Sequence, residues 1–143
     1  AEGKGQSCRR IVEFVDIYPT LTELAGLPTP KQVQGRSLKM LLDNPLIKWN
    51  GTAITQVLRP ADNRLKEPVM GRSIRTERWR YSDWGEGKYG EELYDHFADP
   101  MEFNNLALNP TKENRKIIKM LKKELIKKAS GKVPTTAFNP KRL

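Results

Sequence analysis

The sequence has very little of the chemistry that metal sites and acyl-transfer sites need. It contains one cysteine, Cys8, and one histidine, His96, among 143 residues. A single cysteine excludes an internal disulfide and a cysteine-based zinc site, and a single histidine leaves no histidine pair for a metal ion. We therefore expect most metal and acyl-transfer chemistry to be absent from this chain. We assign no catalytic residue and no metal-binding residue to it.

Long apolar runs are also missing. The longest, residues 11–18, is interrupted by Glu13 and Asp16, whereas a membrane-spanning helix needs about 20 apolar residues. The sequence opens on Ala1 and Glu2, with no Met, no apolar signal segment and no targeting signal. We expect no membrane span, and we interpret the sequence as a cut piece or a mature chain.

Positive charge, in contrast, is in excess. The 26 Lys and Arg residues against 17 Asp and Glu residues give a formal net charge of +9. This balance favours polyanionic partners such as nucleic acid, sulfated polysaccharide or anionic lipid. The hydrophobic fraction of 37% and the charged fraction of 30% predict one folded domain with a modest core.

The first 45 residues carry helical signals. Residues 17–25 place apolar side chains at helical spacing, Asp16 can cap the N-terminal end, and Gly26 stands where a left-handed C-terminal cap is usual. Residues 11–15 form either a short strand or a lead-in to this helix, and the pattern does not separate the two. Residues 38–42 predict a second, single short helix.

The middle of the chain has the two-residue alternation of β-strands. The predicted strands are residues 52–58, 70–76, 78–84 and 92–95. A glycine-containing turn at 85–87 indicates at least one hairpin. Residues 111–128 then repeat Ile and Leu at 3.6-residue spacing among many lysines, which predicts an amphipathic basic helix. Residues 130–143 show no periodicity and are predicted to be a flexible tail.

Several charged residues admit a functional and a structural interpretation. The basic helix could bind a polyanion, but lysines around a buried Ile and Leu stripe are the commonest solubilising arrangement. His96 could be a general acid, but a lone histidine before an Asp-Pro turn is more often a turn residue. The arginines of the strand region could form a platform with Trp79 and Trp84, but alternation places these arginines on two faces. They are Arg72, Arg75, Arg78 and Arg80.

An ordered series of motifs resembles the sulfatases. Residues 12–27, VEFVDIYPTLTELAGL, are similar to the segment that closes the sulfatase catalytic domain. Two further motifs resemble the C-terminal subdomain of the iduronate-2-sulfatase-like branch: residues 35–38, GRSL, with Leu41 and Leu42, and residues 70–76, MGRSIRT, with residues 79–81, WRY. Residues 92–107, ELYDHFADPMEFNNLA, are similar to the strand, turn and helix entry that close many sulfatases. The resemblance covers most of the chain, from about Val12 to the basic helix.

The resemblance implies an α+β fold. We expect a C-terminal sulfatase subdomain at residues 46–129, with about four antiparallel strands and the C-terminal helix packed on the sheet. Residues 1–45, including the N-terminal helix, would be the tail end of an α/β catalytic domain that the chain otherwise lacks. That N-terminal catalytic domain of the same sulfatase is the implied partner.

The resemblance also implies hydrolysis of sulfate esters in the parent protein, on a sulfated sugar or polysaccharide. The family uses a formylglycine made within a Cys/Ser-x-Pro-x-Arg motif, beside a calcium ion. Cys8 does not fit this motif, because Arg10 stands in place of Pro and Val12 in place of Arg. We therefore expect no cofactor in this chain, calcium and formylglycine in the missing N-terminal domain, and no activity of the chain alone.

Three residues are candidates for the substrate side of such an enzyme. Gln56 and Arg59 end a predicted strand before a long polar loop, and Arg75 could hold a sulfate or carboxylate in a bidentate fork. Arg75 could equally be a structural ion-pair partner. The resemblance implies a periplasmic, secreted or lysosomal protein, with nucleic acid an unexpected partner. The alternative is a non-enzymatic basic module that binds polyanions.

Overall fold

The computed structural model describes residues 2–129, so the predicted tail at 130–143 lies outside the described residues. A 3₁₀ turn, Phe14–Asp16, is followed by two short helices, then by a four-stranded sheet and a long helix. The elements are α1 (Ile17–Leu24), α2 (Lys39–Asp43), β1 (Ala53–Arg59), β2 (Val69–Arg75), β3 (Trp79–Trp84), β4 (Glu91–Asp95) and α3 (Lys112–Ala129). None of the helices in the described part of the chain has both the length and the apolar character needed to cross a membrane.

The four strands form one antiparallel meander in the order β1-β2-β3-β4. The register sets Ile74 of β2 beside Tyr81 of β3, and Tyr81 beside Leu93 of β4. All three side chains are fully buried, because residues paired across antiparallel strands project to the same face of the sheet. The predicted α+β fold with four antiparallel strands is confirmed.

Helix α3 covers this face of the sheet. Leu121 and Leu125, one helical turn apart, are fully buried against Ile74, Tyr81 and Leu93. The amphipathic pattern therefore predicted the packing correctly, although its last apolar member, Ile126, is 45% exposed. Burial of these side chains stabilises the unit by roughly 1.5–3 kcal/mol each.

The sheet face beneath α3 also holds a buried ion pair. Arg72 on β2 and Asp83 on β3 face each other in register, and Asp83 is completely buried. The Arg72 Nε atom lies 3.2 Å from Oδ1 of Asp83, and Nη2 lies 3.3 Å from both carboxylate oxygens. Because charged groups in a low-dielectric interior need partners, each of these residues depends on the other.

The N-terminal segment differs in one detail from the prediction. Residues 14–16 form the 3₁₀ turn, so residues 11–15 lead into α1 and are not a strand. Asp16 does not cap α1 with its side chain. Its carboxylate instead accepts hydrogen bonds from the backbone N–H of Glu13, at 3.0 Å, and of Arg36, at 2.9 Å. The prediction of an Asp16 cap was wrong because the loop before α2 occupies the carboxylate.

Candidate functional site

Helix α3 covers only one face of the sheet, and we call the opposite face the open face. It consists of the side chains that alternate with the core positions of the four strands: Ala53, Thr55, Val57, Arg59, Val69, Gly71, Ser73, Arg75, Arg80, Ser82, Trp84, Glu92 and Tyr94. A shallow depression of about 220 Å³ lies on it. Polar side chains dominate its centre, where the hydroxyls of Ser73 and Ser82 lie 3.1 Å apart. This face is therefore suited to polar contacts and not to an apolar core.

The three sequence-predicted substrate residues do not meet in one site. Gln56 pairs with Arg72 on the helix-covered face, although its own side chain is exposed. Arg59 lies on the open face at the far end of β1, where its guanidinium stacks 4.1 Å from the ring centroid of Trp84. Arg75 lies on the same face, but six residues along β2 from the partner of Arg59, Val69. At about 3.4 Å per residue, this separation is about 20 Å.

Arg75 belongs instead to a cavity at the other end of the sheet. The cavity has a volume of about 600 Å³ and brings four segments together: residues 7–11, 45–46, 75–77 and 96–100. Among the described residues, its lining includes the basic side chains of Arg9, Arg10, Arg75 and His96 and one acidic side chain, that of Glu77. We call it the cationic cavity.

Hydrogen bonds fix two of the arginines in this cavity. Arg10 pairs with the Glu77 carboxylate at 2.8 Å and donates to the carbonyl of Leu46 at 3.0 Å. The Nη1 group of Arg75 donates to the carbonyls of Thr76, at 2.5 Å, and Trp79, at 3.4 Å. Burial lowers the pKa of the Arg75 guanidinium below its ordinary range, against the pull of the Glu102 carboxylate.

His96 is positioned by Glu102. The Nε2 atom of His96 lies 2.6 Å from Oε1 of Glu102, and the other carboxylate oxygen of Glu102 pairs with Arg80. Glu102 has a φ angle of 60°, a left-handed conformation that is uncommon for a residue with a side chain. The Nε atom of Arg80 is buried and has no hydrogen-bond partner among residues 2–129. The predicted surface turn residue is thus part of a three-residue polar chain at the cavity wall.

The sequence missed Arg9 and Arg10 as cavity-lining residues, and it missed Glu102 as the residue that contacts His96. Arg9 and Arg10 reach the cavity only because residues 8–11 run along the segment that follows α2. In that contact, the Cys8 thiol is 3.6 Å from the carbonyl of Pro45, and the Trp49 indole donates to the carbonyl of Ile11 at 2.9 Å. No local pattern carries this information. The Asp-Pro turn before Glu102 was the signal that could have pointed to it.

Metal-ligating and nucleophilic groups are scattered. Within residues 2–129, no three His, Cys, Asp or Glu side chains come together in a way that could hold a metal ion. Cys8 is an exposed free thiol. The alternation of the arginines is as predicted, since Arg72 lies under α3 while Arg75 and Arg80 lie on the open face. A single arginine platform is therefore not formed.

Helix α1 and the turn before it carry a large apolar surface. Its members are exposed by roughly half or more: Phe14 90%, Val15 55%, Tyr18 54%, Leu21 59%, Leu24 49% and Leu27 60%. We call this the N-terminal apolar surface. Monomeric proteins rarely leave so contiguous an apolar patch in water, and such patches mark contact with another protein unit.

A sheet covered on one face by a helix and an exposed apolar helix surface are features of a domain that contacts another protein unit. The chain belongs to the family of the C-terminal region of N-sulphoglucosamine sulphohydrolase, which matches residues 2–131. It is a C-terminal sulfatase domain.

Its relatives are sulfatases. The chain is 35% identical over 96 residues to a Delta 4,5-hexuronate-2-O-sulfatase of Bacteroides thetaiotaomicron, covering 67% of the chain and 19% of that protein. It is 30% identical over 107 residues to arylsulfatase K of Canis lupus familiaris, covering 71% of the chain and 20% of that protein. The chain thus spans about a fifth of the length of the curated relatives it matches.

A solved structure shares the fold of this domain. The structure of BT4656 in complex with its substrate D-glucosamine-2-N,6-O-disulfate is similar, with a TM-score of 0.60 and 26% identity. The match covers 83% of this chain and 24% of that one. Sequence and fold therefore agree on a C-terminal sulfatase domain.

Proposed function

We propose that this chain is the C-terminal part of an enzyme of the iduronate-2-sulfatase-like branch that hydrolyses sulfate esters of a sulfated sugar. The observation that carries the proposal is the family match over residues 2–131, together with 35% identity to a hexuronate-2-O-sulfatase. The branch rests on the resemblance of residues 35–42, 70–76 and 79–81. This function accounts for the chain better than a separate polyanion-binding module, which would have no use for an exposed apolar helix.

The chemical step belongs to another part of the enzyme. Hydrolysis of a sulfate ester needs a nucleophile, neutralisation of negative charge and an acid for the leaving alcohol, all held in one place. Cys8 lacks the Pro and Arg of the maturation motif, and the described residues do not offer a calcium site. The residues present do not fit either group, so we assign formylglycine and calcium to the preceding domain.

The partner of the N-terminal apolar surface is then the N-terminal catalytic domain of the same enzyme. Residues 1–45 would complete that domain, and residues 46–129 would form the subdomain beside it. Phe14, at 90% exposure, and Leu21, at 59%, are among the most exposed side chains of this surface. Burying about six such side chains is worth several kcal/mol at roughly 25 cal/mol per Å².

Gln56, Arg59 and Arg75 are the candidates for substrate binding, and they differ in their surroundings. Arg75 borders a cavity, whereas Arg59 is already stacked on Trp84. In the complete enzyme, Arg75→Ala with normal folding but a raised KM supports binding. Loss of soluble protein would support a structural role. By resemblance, we also propose a periplasmic, secreted or lysosomal location.

The test is activity with and without the catalytic domain. The chain alone, with calcium and a chromogenic aryl sulfate, should give no turnover, whereas co-expression with the N-terminal sulfatase domain should give turnover. Leu21→Asp should abolish co-purification of the two parts. Met120→Asp is the matched control, because Met120 is 56% exposed on the outer side of α3. Turnover by the chain alone, or equal loss of association in both variants, contradicts the proposal.

A further inference from the structure

The cationic cavity combines fixed positive charge with apolar walls. Its lining residues are not part of the core between the sheet and α3. Its volume of about 600 Å³ is within the range of about 300–1,000 Å³ that small-molecule sites occupy. Ile11, Leu46 and Phe97 contribute apolar surface, and the Phe97 ring is 72% exposed at the edge. A ligand ring with one apolar face could lie against these side chains.

The charge balance of the cavity favours an anion. Among the described residues, Glu77 is the only acidic side chain that lines the cavity, and this carboxylate is already paired with Arg10. The nearby Glu102 carboxylate contacts Arg80 and His96. Among residues 2–129, Arg9 and Arg75 form no ion pair. The cavity therefore holds two guanidinium groups outside any of these ion pairs, of which Arg75 also lies in the field of the Glu102 carboxylate.

Of these two guanidinium groups, that of Arg75 is the better positioned to bind an anion. Its Nη1 atom is held by two backbone carbonyls, so the orientation of the planar guanidinium is fixed before any ligand arrives. Its Nε and Nη2 groups donate to no acceptor in the described part of the chain. A fixed guanidinium with two free donors matches the paired oxygens of a carboxylate or sulfate. Partial burial strengthens such a contact because it removes competing water.

His96 adds a second polar group at a fixed position. Glu102 holds its imidazole through Nε2, and Glu102 is itself anchored by Arg80 and kept in a left-handed backbone conformation. Backbone strain of this kind persists only where the surrounding contacts enforce it. The cavity wall is thus pre-organised and does not need to be ordered by the ligand.

We propose that the cationic cavity binds one anionic sugar ring, with Arg75 and Arg9 on its sulfate or carboxylate and Phe97 against its apolar face. This proposal rests on the proposed function, since it names the part of the sugar that the C-terminal domain recognises. The two sources of the anion, an O- or N-sulfate and a uronic acid carboxylate, share the same guanidinium chemistry and are distinguished by the choice of probe.

Titration calorimetry of the 143-residue chain tests the proposal without any turnover. The probes are D-glucosamine-2-N,6-O-disulfate, glucuronic acid and inorganic sulfate. We expect a sugar probe to bind more tightly than inorganic sulfate, because the apolar wall contacts only a ring. Tighter binding of the disulfate identifies a sulfate site, and tighter binding of glucuronic acid identifies a carboxylate site. Equal binding of all three probes contradicts the proposal.

Two pairs of variants locate the site. Arg75→Ala should weaken sugar binding about tenfold, the usual effect of losing hydrogen bonds to a charged group. Arg75→Lys keeps the charge without the fork and covers the case in which the alanine variant does not fold. Arg9→Ala should weaken binding about threefold, and Arg115→Ala is its control, an exposed arginine on α3 with the same loss of charge.

The outcomes separate this proposal from the function on which it rests. If Arg115→Ala weakens binding as much as Arg9→Ala, the effect is diffuse charge and the cavity proposal is wrong. If the complete enzyme turns over a sulfate ester while its Arg75→Lys and Arg9→Ala variants bind both sugars normally, the function stands and the cavity proposal falls. If the variants lose binding but no sulfate ester is ever hydrolysed, the cavity stands and the sulfatase function falls.

Discussion

Removal of Arg72 should destabilise the chain more than removal of its partner, Asp83. Asp83 is fully buried, and the Arg72 side chain is 15% exposed. Arg72→Met therefore leaves a carboxylate with no route to water, and breaking a buried pair in this way costs about 3–5 kcal/mol. Asp83→Leu leaves a guanidinium that can still reach solvent and Glu86, whose carboxylate is 3.8 Å away. We expect that variant to lose about 1–3 kcal/mol.

The double variant Arg72→Met/Asp83→Leu is the decisive measurement. It replaces both charges by apolar groups on a face already packed under α3, and such replacements are often neutral or stabilising. Its free energy of unfolding should lie within about 1 kcal/mol of the wild type, which gives a strongly favourable coupling energy in the double-mutant cycle.

Urea unfolding followed by circular dichroism provides the assay. With an m-value of about 2 kcal/mol/M, a loss of 4 kcal/mol lowers the midpoint by about 2 M. Unchanged m-values are required, so that the midpoints report stability alone. The reasoning is refuted if Arg72→Met costs less than about 1 kcal/mol, or if Asp83→Leu costs more than Arg72→Met.

Three further predictions concern the sheet and its helix. A Cβ on Gly71 would lie 2.4 Å from the Trp84 ring, so Gly71→Ala should lose about 1–3 kcal/mol of stability by overpacking, measured by thermal unfolding. Leu125→Ala should lose about 2–5 kcal/mol in urea because it opens a cavity at a fully buried position. Hydrogen bonding to Arg78 lowers the pKa of Asp95 below its ordinary 3.8. This contribution to stability is complete above that value and is lost as the pH falls through the lower folded pKa, so Arg78→Ala should show a weaker acid dependence in the same pH range.

The helix prediction has a control within α3, and each of the other two has an outcome that would contradict it. Met120→Ala, on the exposed side of α3, should change stability by less than about 0.5 kcal/mol, and a larger loss would mean that α3 packs differently. A stable Gly71→Ala would mean that the Trp84 ring moves freely. If Arg78→Ala left the acid limb of the stability profile unchanged, the pair with Asp95 would not be its cause.

Local patterns predicted the elements well because each element buries one face. The alternation around Ile74 and Tyr81 specified strands, and the spacing of Leu121 and Leu125 specified a helix that packs on them, since both periods follow directly from backbone geometry. The Asp16 cap was the kind of detail that failed. A carboxylate can accept from any nearby N–H group, and the one that Arg36 supplies comes from twenty residues away.

The candidate site was much less accessible to sequence reasoning. Arg75 was identified by its residue type, but Arg9 and Arg10 were not, because nothing in residues 7–11 shows that they lie beside β2. Gln56 and Arg59 are close to each other in the chain, yet they lie on opposite faces of the sheet. Nearness along a strand does not imply nearness in a site, since successive side chains point to opposite sides.

The sequence by itself determined the order of the elements, the antiparallel strands with their covering helix and the resemblance to a C-terminal sulfatase domain, because these depend on short-range periodicity and on motifs along the chain. Only the tertiary structure decided which charges meet. The pairing of Arg72 with Asp83, the anchoring of His96 by Glu102, and the cavity between residues 7–11 and β2 all join segments that are distant in the chain. Such contacts depend on how the packed elements orient one another, and that orientation is set by the buried core as a whole.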